Sequence, residues 1–192
     1  MSKGRLEAFS DGVIAVIITI MVLELKAPHG TRLVDLVPLV PVFLTYVLSF
    51  MFVGTYWNNH HHMLHATKKV SGAVLWANLL LLFWLSLIPV ATAWLGDSDL
   101  AALPVAFYGA VCWLSGVSYT LLERSLIAAD GDSSTLAAAV GGRDRKGVLS
   151  LALYTAGIAL AFVSPPLAVA FYVITALLWF VPDRRIETRL NE

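Results

Sequence analysis

Charged residues are scarce in this chain, which points away from an ordinary soluble domain. They make up 14% of the 192 residues, while 58% of the residues are hydrophobic. A soluble domain usually carries about 25% charged and about 45–50% apolar residues. The mean hydropathy of +0.77 also points toward lipid. The formal net charge is zero, so it says nothing about an acidic partner. The composition therefore predicts an all-α integral membrane protein.

Cysteine and the usual catalytic patterns are also lacking. The single cysteine, Cys112, lies inside an apolar run, which excludes a disulfide scaffold and a cysteine-built zinc site. No serine–histidine–acid spacing, glycine-rich phosphate loop or basic nucleic-acid-binding stripe occurs. Residues 1–11 lack the order of a cleaved signal peptide, so we expect them to belong to a mature helix. The sequence predicts no enzyme, no cofactor and no nucleic-acid partner.

Long segments without charge predict six membrane-spanning helices in one domain, 1–192. A helix needs roughly 20 apolar residues to cross ~30 Å of hydrocarbon. Apart from histidines, the charge-free segments are 36–67, 70–96, 100–122 and 147–182. The first three predict one span each, and the tandem prolines Pro165 and Pro166 divide the fourth into two short spans. With an N-terminal span added, the approximate predicted boundaries are 5–26, 36–60, 70–95, 100–124, 147–163 and 166–182.

The distribution of basic residues predicts the orientation of these spans. Cytoplasmic loops of membrane proteins carry an excess of lysine and arginine. With both termini in the cytoplasm, the six-span arrangement places two basic residues outside, Lys26 and Arg32. The inside residues are Lys3, Arg5, Lys68, Lys69, Arg124, Arg143, Arg145, Lys146, Arg184, Arg185 and Arg189. This asymmetry predicts cytoplasmic N- and C-termini.

The first span is unusual because its apolar part is short. Only twelve residues separate Asp11 from Glu24, which is about 18 Å of helix. The span must therefore extend to Arg5 or beyond, which places Glu7, Ser10 and Asp11 at or inside the membrane boundary. Ionisable groups at such depth usually face protein or a water-filled cavity. Alternatively, Asp11 lies among the headgroups as an acid near a helix N-terminus.

Two stripes of side chains follow helical spacing along this span. The small residues are Ala8, Gly12, Ala15 and Thr19, and a neighbouring stripe contains Gly12, Val16, Ile20 and Leu23. Small residues allow helices in lipid to approach closely. A helix with charge at its cytoplasmic end and a branched apolar face suits the centre of an assembly. Ordinary helix packing explains the same periodicity.

The start of this span carries a recognisable motif, Arg5-x-x-x-Phe9-Ser10-Asp11. A second motif, Tyr56-Trp57-Asn58-Asn59-His60-His61, lies at the end of the second predicted span. Together they resemble the signatures of the transmembrane protein 175 family, the endosomal and lysosomal potassium channels and their prokaryotic relatives. The resemblance covers the whole chain. It implies a prokaryotic single-repeat member that assembles as a homotetramer in the plasma membrane, with four copies of the first helix around the axis.

The resemblance also assigns roles to particular residues. It implies a pore lined by Val16, Thr19, Ile20 and Leu23. It implies a polar network that ties the first helix to its neighbours, formed by Arg5, Phe9, Ser10, Asp11, Trp57 and His61. Val16 departs from the bulkier aliphatic residue that the family often has at its bottleneck, so the constriction is either wider here or lies at Ile20 or Leu23.

The absence of other filter elements agrees with this interpretation. The chain has no Thr-Val-Gly-Tyr-Gly loop for a carbonyl filter, and no acidic residue lies between Asp11 and Glu24. An apolar constriction, which gates by dewetting, and a ring of hydroxyls remain. Such a pore favours weakly hydrated cations, so we expect permeant potassium ions, moderate selectivity over sodium and contact with membrane lipid.

The histidines and the rival functions complete the sequence-based expectations. His61 and His65 share a helical face, but no aspartate or glutamate lies within the histidine cluster to complete a metal site. We therefore expect polar contacts there and no bound metal. A small secondary carrier of a small solute and a subunit without transport of its own are the alternatives. Carriers commonly show internal repeats and broken helices around a polar site in the middle of the membrane. The sequence shows neither feature, but the two short predicted spans on either side of Pro165 keep the carrier alternative open.

Overall fold

The computed structural model describes residues 2–131, 134–140 and 144–180. Every regular element in these ranges is a helix, which confirms the predicted all-α class. The elements are α1 (Lys3–Leu23), a 3-10 helix η1 (Leu33–Leu39), α2 (Val40–His65), α3 (Gly72–Ser86), α4 (Ile88–Gly96), α5 (Ala102–Asp130), α6 (Thr135–Val140), α7 (Arg145–Leu160) and α8 (Pro165–Phe180).

Four helical stretches in the described part of the chain are long and apolar enough to cross a membrane. They are Lys3–Leu23, Leu33–His65, Gly72–Gly96 and Ala102–Asp130. Helices α7 and α8 have 16 residues each, which is about 24 Å of helix and less than the ~30 Å of hydrocarbon. Six crossings and cytoplasmic termini therefore stay predictions.

Helix α1 extends toward the N-terminus, as its short apolar segment requires. It begins at Lys3, where the backbone N–H groups of Arg5 and Leu6 donate to the carbonyl of Ser2. It ends at Leu23, three residues before the end of the predicted segment 5–26. Its C-terminal end is closed by hydrogen bonds of the 3-10 type, from the N–H of Glu24 to the carbonyl of Met21 and from the N–H of Leu25 to the carbonyl of Val22. Pro28 follows in a non-helical segment. The 21-residue helix rises about 31 Å.

Prolines interrupt two of the other segments. Pro89 lacks a backbone N–H, and the helix breaks at Leu87, between α3 and α4. The predicted segment 70–95 is therefore two helices in line. At the tandem prolines, α7 ends at Leu160, and the N–H of Ser164 donates to the carbonyl of Leu160 at 2.7 Å before α8 begins. This confirms the predicted break.

Helix α1 packs one face against α2, α3 and α4. Its buried residues are Leu6, Ser10, Ile14, Ile17 and Met21. Their spacing of three or four residues keeps them on one side of the helix. The opposite side of α1 is open in the single protomer, and this asymmetry defines the site described below.

Helix α8 docks through Tyr172, which is buried against two glycines. A methyl group on Gly109 of α5 would collide with the Tyr172 hydroxyl, and one on Gly157 of α7 would lie 2.5 Å from the ring. The Tyr172 hydroxyl donates to the carbonyl of Val105 at 3.2 Å. The two glycines therefore make room for one aromatic ring that joins α5, α7 and α8.

Candidate functional site

The open face of α1 carries the four residues that the resemblance assigns to the pore. Val16, Ile20 and Leu23 are 54%, 43% and 77% exposed, and Thr19 is exposed beside them. Branched apolar side chains are thus presented outward along the helix, although α1 has a fully packed face on its other side. In a membrane protein, an apolar face that is exposed on one protomer lies against lipid, against another subunit or along a pore.

The hydroxyl of Thr19 is the polar group on this face. It donates to the carbonyl oxygen of Val16 at 2.9 Å, one turn earlier in the helix. Because its proton is used in this bond, the hydroxyl oxygen can present only lone pairs to its other neighbours. Thr19 therefore offers an oxygen acceptor to a cation among otherwise apolar side chains.

A buried chain of hydrogen bonds holds the N-terminal half of α1 against α2 and α3. Nδ2 of Asn78 donates to Oγ of Ser10 at 3.0 Å, and Oγ of Ser10 donates to the carbonyl of Leu6 at 2.9 Å. Nε2 of His60 lies 2.8 Å from Oδ1 of Asn78. Since that oxygen only accepts, Nε2 carries the proton. Ser10, His60 and Asn78 are all 0% exposed, so each bond lies in a low-dielectric interior.

A second group of contacts lies nearer the protein surface and includes Asp11, the residue that follows Ser10. Nε1 of Trp57 donates to the carboxylate of Asp11 at 3.0 Å, and Nδ1 of His61 lies 3.1 Å from the carboxylate of Glu7. The ring of His61 stacks between those of Trp57 and His65, at centroid distances of 6.4 and 6.1 Å. Asp11 thus faces protein, which supports the first of the two interpretations of its position.

The structure divides the six predicted network residues into two groups. Ser10, Asp11, Trp57 and His61 make the interhelical contacts just described. Arg5 and Phe9 do not join them: both are exposed, and Phe9 is 50% exposed on the side of α1 that also carries Val16. Among the described residues, no hydrogen bond or ion pair involves the side chain of Arg5.

Sequence reasoning missed the central member of the buried chain. Asn78, His60 and Glu7 were not assigned to the predicted network. A signal existed, because Asn78 is the single amide or hydroxyl side chain in 72–85. In lipid such a group needs a partner on another helix.

A further polar cluster joins α2 to α4 and α5, and sequence reasoning did not find it. Oγ1 of Thr92 in α4 lies 2.7 Å from both the carbonyl of Ile88 and Oγ of Ser49. Ser49 in turn lies 3.0 Å from the hydroxyl of Tyr108. The cluster therefore links α2, α4 and α5 through buried side chains.

Comparison with known proteins places this arrangement. The family model described as endosomal/lysosomal potassium channel TMEM175 matches residues 5–89, which contain α1 to the start of α4. A protein of Chryseobacterium sp. (strain P1-3), named as a potassium channel, is 52% identical over 192 residues and covers 100% of both chains. This chain belongs to the TMEM175 family. The resemblance found in the motifs is thereby confirmed.

The fold of the TMEM175 family is also present. A crystal structure of a lysosomal potassium-selective channel TMEM175 homolog from Chamaesiphon minutus superposes with a TM-score of 0.77. It is 27% identical, and the match covers 94% of this chain and 97% of that chain. The Gallus gallus relative is named endosomal/lysosomal proton channel TMEM175; it is 32% identical over 47% of this chain and 21% of its own length.

These comparisons decide two general expectations. The TMEM175 family and the relatives named here are channels, so this chain is a membrane channel-family protein and not an enzyme. The matched region 5–89 includes both the buried chain of hydrogen bonds and the open face of α1. The names of the relatives differ in the ion, potassium in the bacterial proteins and protons in the bird protein.

Proposed function

We propose that this chain is the subunit of a cation channel that conducts potassium in preference to sodium, with α1 lining the pore. The observation that carries the proposal is the face of α1 that is left open in the protomer. Val16, Ile20 and Leu23 are exposed there, together with the Thr19 hydroxyl, while the opposite face is packed. Membership in the TMEM175 family and the naming of the Chryseobacterium relative as a potassium channel support it.

The proposed assembly is a homotetramer in the plasma membrane of a prokaryote. Each chain forms one domain, 1–192, with six crossings, cytoplasmic termini and membrane lipid around it. Four copies of α1 then surround one axis. The basic residues that cluster in the predicted cytoplasmic segments support this orientation. The fourfold number comes from the family resemblance.

The proposed mechanism follows from what four copies of the open face would form. The aliphatic side chains of Val16, Ile20 and Leu23 would each make an apolar ring, and Thr19 would make one ring of hydroxyl oxygens. An apolar ring admits an ion only after partial loss of its hydration shell, and it closes by dewetting. Potassium loses water more easily than sodium, so the ring of Thr19 oxygens receives potassium more readily. No cofactor beyond the permeant ions takes part.

The hydrogen-bonded contacts of α1 would set its rotation. Ser10 and Asp11 are consecutive residues, about 100° apart around the helix, and they bond to different neighbours, Asn78 and Trp57. Two bonds at different angles oppose rotation of α1 about its own axis. In the proposed channel they keep the face with Val16 and Thr19 toward the pore.

The experiment is a bi-ionic current measurement on purified protein in liposomes, with potassium, sodium, caesium and protons as test ions. Thr19→Ala should lower the potassium-to-sodium permeability ratio, and Val16→Ser or Ile20→Ser should raise the conductance. The matched control is Thr155→Ala. Thr155 is also an exposed helical threonine bonded to a carbonyl of its own helix, at 2.8 Å, but it lies on α7.

Permeability ratios that do not change in Thr19→Ala, or that change equally in Thr155→Ala, would reject the assigned pore face. Single-channel current steps would separate a channel from the rival secondary carrier. The absence of flux from the purified protein alone would favour a regulatory subunit instead.

A further inference from the structure

A pocket lies at the C-terminal end of α1, between the segment that follows this helix and the η1–α2 stretch. Its walls come from residues in 25–28 and 36–43, and we call it the η1 pocket. It is open on one side and contains about 350 Å³ of water-accessible space. An apolar cavity of about 150 Å³ is already large enough to hold benzene. The η1 pocket therefore has room for an apolar group from outside the protomer.

The walls of the η1 pocket are apolar. Apart from Lys26, every described residue that lines it has an apolar side chain. Leu36 and Val40 are each 46% exposed and Phe43 is 52% exposed, so the protomer itself does not cover them. Apolar surface is removed from water at a gain in free energy. The pocket therefore favours an apolar occupant over water.

The lengths of α1 and α2 place the η1 pocket near a boundary of the hydrocarbon layer. Nζ of Lys3 donates to the carbonyl of His65 at 2.9 Å, so the start of α1 meets the end of α2. From this common level α1 rises about 31 Å and α2 about 39 Å. The hydrocarbon layer is ~30 Å thick. The pocket at the far ends of the two helices therefore lies where the lipid headgroups begin.

The η1 pocket also carries one available positive charge. Lys26 lines the pocket and is exposed, and no ion pair within the described ranges involves its ammonium group. Arg32, in the same connection between α1 and α2, is already used, because its guanidinium lies 3.5 Å from the carboxylate of Asp35. Glu24 is exposed at the end of α1 and is not part of the lining. Lysine side chains near the ends of membrane helices extend to the headgroup level.

We propose that the η1 pocket binds an anionic phospholipid, with the upper part of an acyl chain against its apolar walls and the headgroup phosphate at Lys26. Charge complementarity favours this occupant over an apolar segment of a second copy of the chain, which would leave the ammonium group without a counter-charge. The proposal rests on the membrane location of the chain and not on ion conduction.

The test is native mass spectrometry of the purified full-length protein in detergent. The protein is titrated with dioleoyl phosphatidylglycerol or with dioleoyl phosphatidylethanolamine, which have the same acyl chains but differ in net charge. Phosphatidylglycerol should bind about fivefold more tightly, because one lysine near the membrane surface favours anionic lipid by about 1 kcal/mol. Because no flux is measured, failure here and failure of the proposed channel are separate results.

A charge variant locates the headgroup. Lys26→Gln keeps a long side chain without the charge, and it should weaken phosphatidylglycerol binding about fivefold while phosphatidylethanolamine binding stays the same. The matched control is Arg32→Gln, which removes a positive charge that is already paired with Asp35 and should leave both affinities unchanged. An equal loss of phosphatidylglycerol binding in the two variants, or no loss in Lys26→Gln, would overturn the proposal.

A pocket-filling variant locates the acyl chain. Val40→Trp places a large ring at the pocket wall and should weaken the binding of both lipids, whereas Val37→Trp, at an exposed position outside the pocket, should not. A photoreactive side chain introduced in place of Val40 should crosslink to the added phospholipid. Unchanged lipid binding in Val40→Trp, or crosslinks to another copy of the chain in place of lipid, would contradict the assigned occupant.

Discussion

Replacement of Asn78 by alanine tests the chain of hydrogen bonds that fixes α1. Asn78 is 0% exposed and lies between Ser10 and His60. The substitution removes the 2.8 Å contact with Nε2 of His60 and the 3.0 Å bond to Oγ of Ser10. Ser10 keeps its bond to the carbonyl of Leu6, but the N–H of His60 loses its partner.

The expected size of the effect follows from these two bonds. Hydrogen bonds between membrane helices contribute about 0.6 kcal/mol on average and up to about 1.7 kcal/mol. A buried donor left unpaired costs about 1–3 kcal/mol. His60 is also 0% exposed, so water cannot replace the lost amide without an opening of the core. We therefore expect Asn78→Ala to lower the free energy of unfolding by about 2–4 kcal/mol.

The assay is reversible unfolding in mixed detergent and dodecyl sulfate micelles, followed by circular dichroism. Asn58→Ala is the matched control, because Asn58 is an exposed asparagine on α2 and such substitutions change stability by about 0.5 kcal/mol or less. A double-mutant cycle of Ser10→Ala with Asn78→Ala should give a coupling energy of about 0.6–1.7 kcal/mol. Equal destabilisation by Asn78→Ala and Asn58→Ala, or a cycle without coupling, would refute the reasoning.

Two further substitutions test the packing of the rest of the protomer. Gly109→Ala places a methyl group against the Tyr172 hydroxyl and should destabilise the fold by about 1–3 kcal/mol in the same assay. The control Gly72→Ala, whose methyl group meets no atom within 4 Å, should not change the stability. Equal effects of the two substitutions would contradict the close packing of Tyr172. Asp130 is 5% exposed and accepts from the backbone N–H groups of Lys68 and Lys69 at 2.9–3.1 Å. Asp130→Asn should therefore lower the free energy of unfolding by about 1–3 kcal/mol, whereas the control Asp97→Asn, at an exposed position, should change it very little. The backbone N–H of Lys68 should also exchange its hydrogen faster in Asp130→Asn, and an unchanged exchange rate would disprove this role.

Local features of the fold could be predicted because their causes lie close together in the sequence. Too few apolar residues between Asp11 and Glu24 led to the prediction that the first helix extends to Arg5 or beyond, and α1 begins at Lys3. Tandem prolines remove backbone donors wherever they occur, so the end of α7 before Pro165 was visible in advance. Helical spacing also placed Val16, Ile20 and Leu23 in one stripe beside that of Thr19, and the family resemblance implied that all four line the pore.

Partners that come from distant parts of the chain could not be predicted in the same way. Asn78 lies 68 residues from Ser10, and nothing local in either segment encodes their contact. The pairing of Glu7 with His61 likewise depends on how α1 rotates against α2. Periodicity gives the face of a helix but not its neighbour. For the same reason, the fit of Tyr172 between Gly109 and Gly157 could be seen only in the folded structure.

The docking of α8 through Tyr172 has a consequence for biogenesis. Neither α7 nor α8 has enough residues to reach across the hydrocarbon layer unaided, so neither is a stable insertion unit by itself. The Tyr172 ring packs against Gly157 of α7 and also against Gly109 of α5. Because α5 precedes α7 and α8 in the chain, it leaves the ribosome before them. We therefore expect α7 and α8 to insert into the bilayer together, after α5 is already in place. Packing against α5 would then complete the helical bundle.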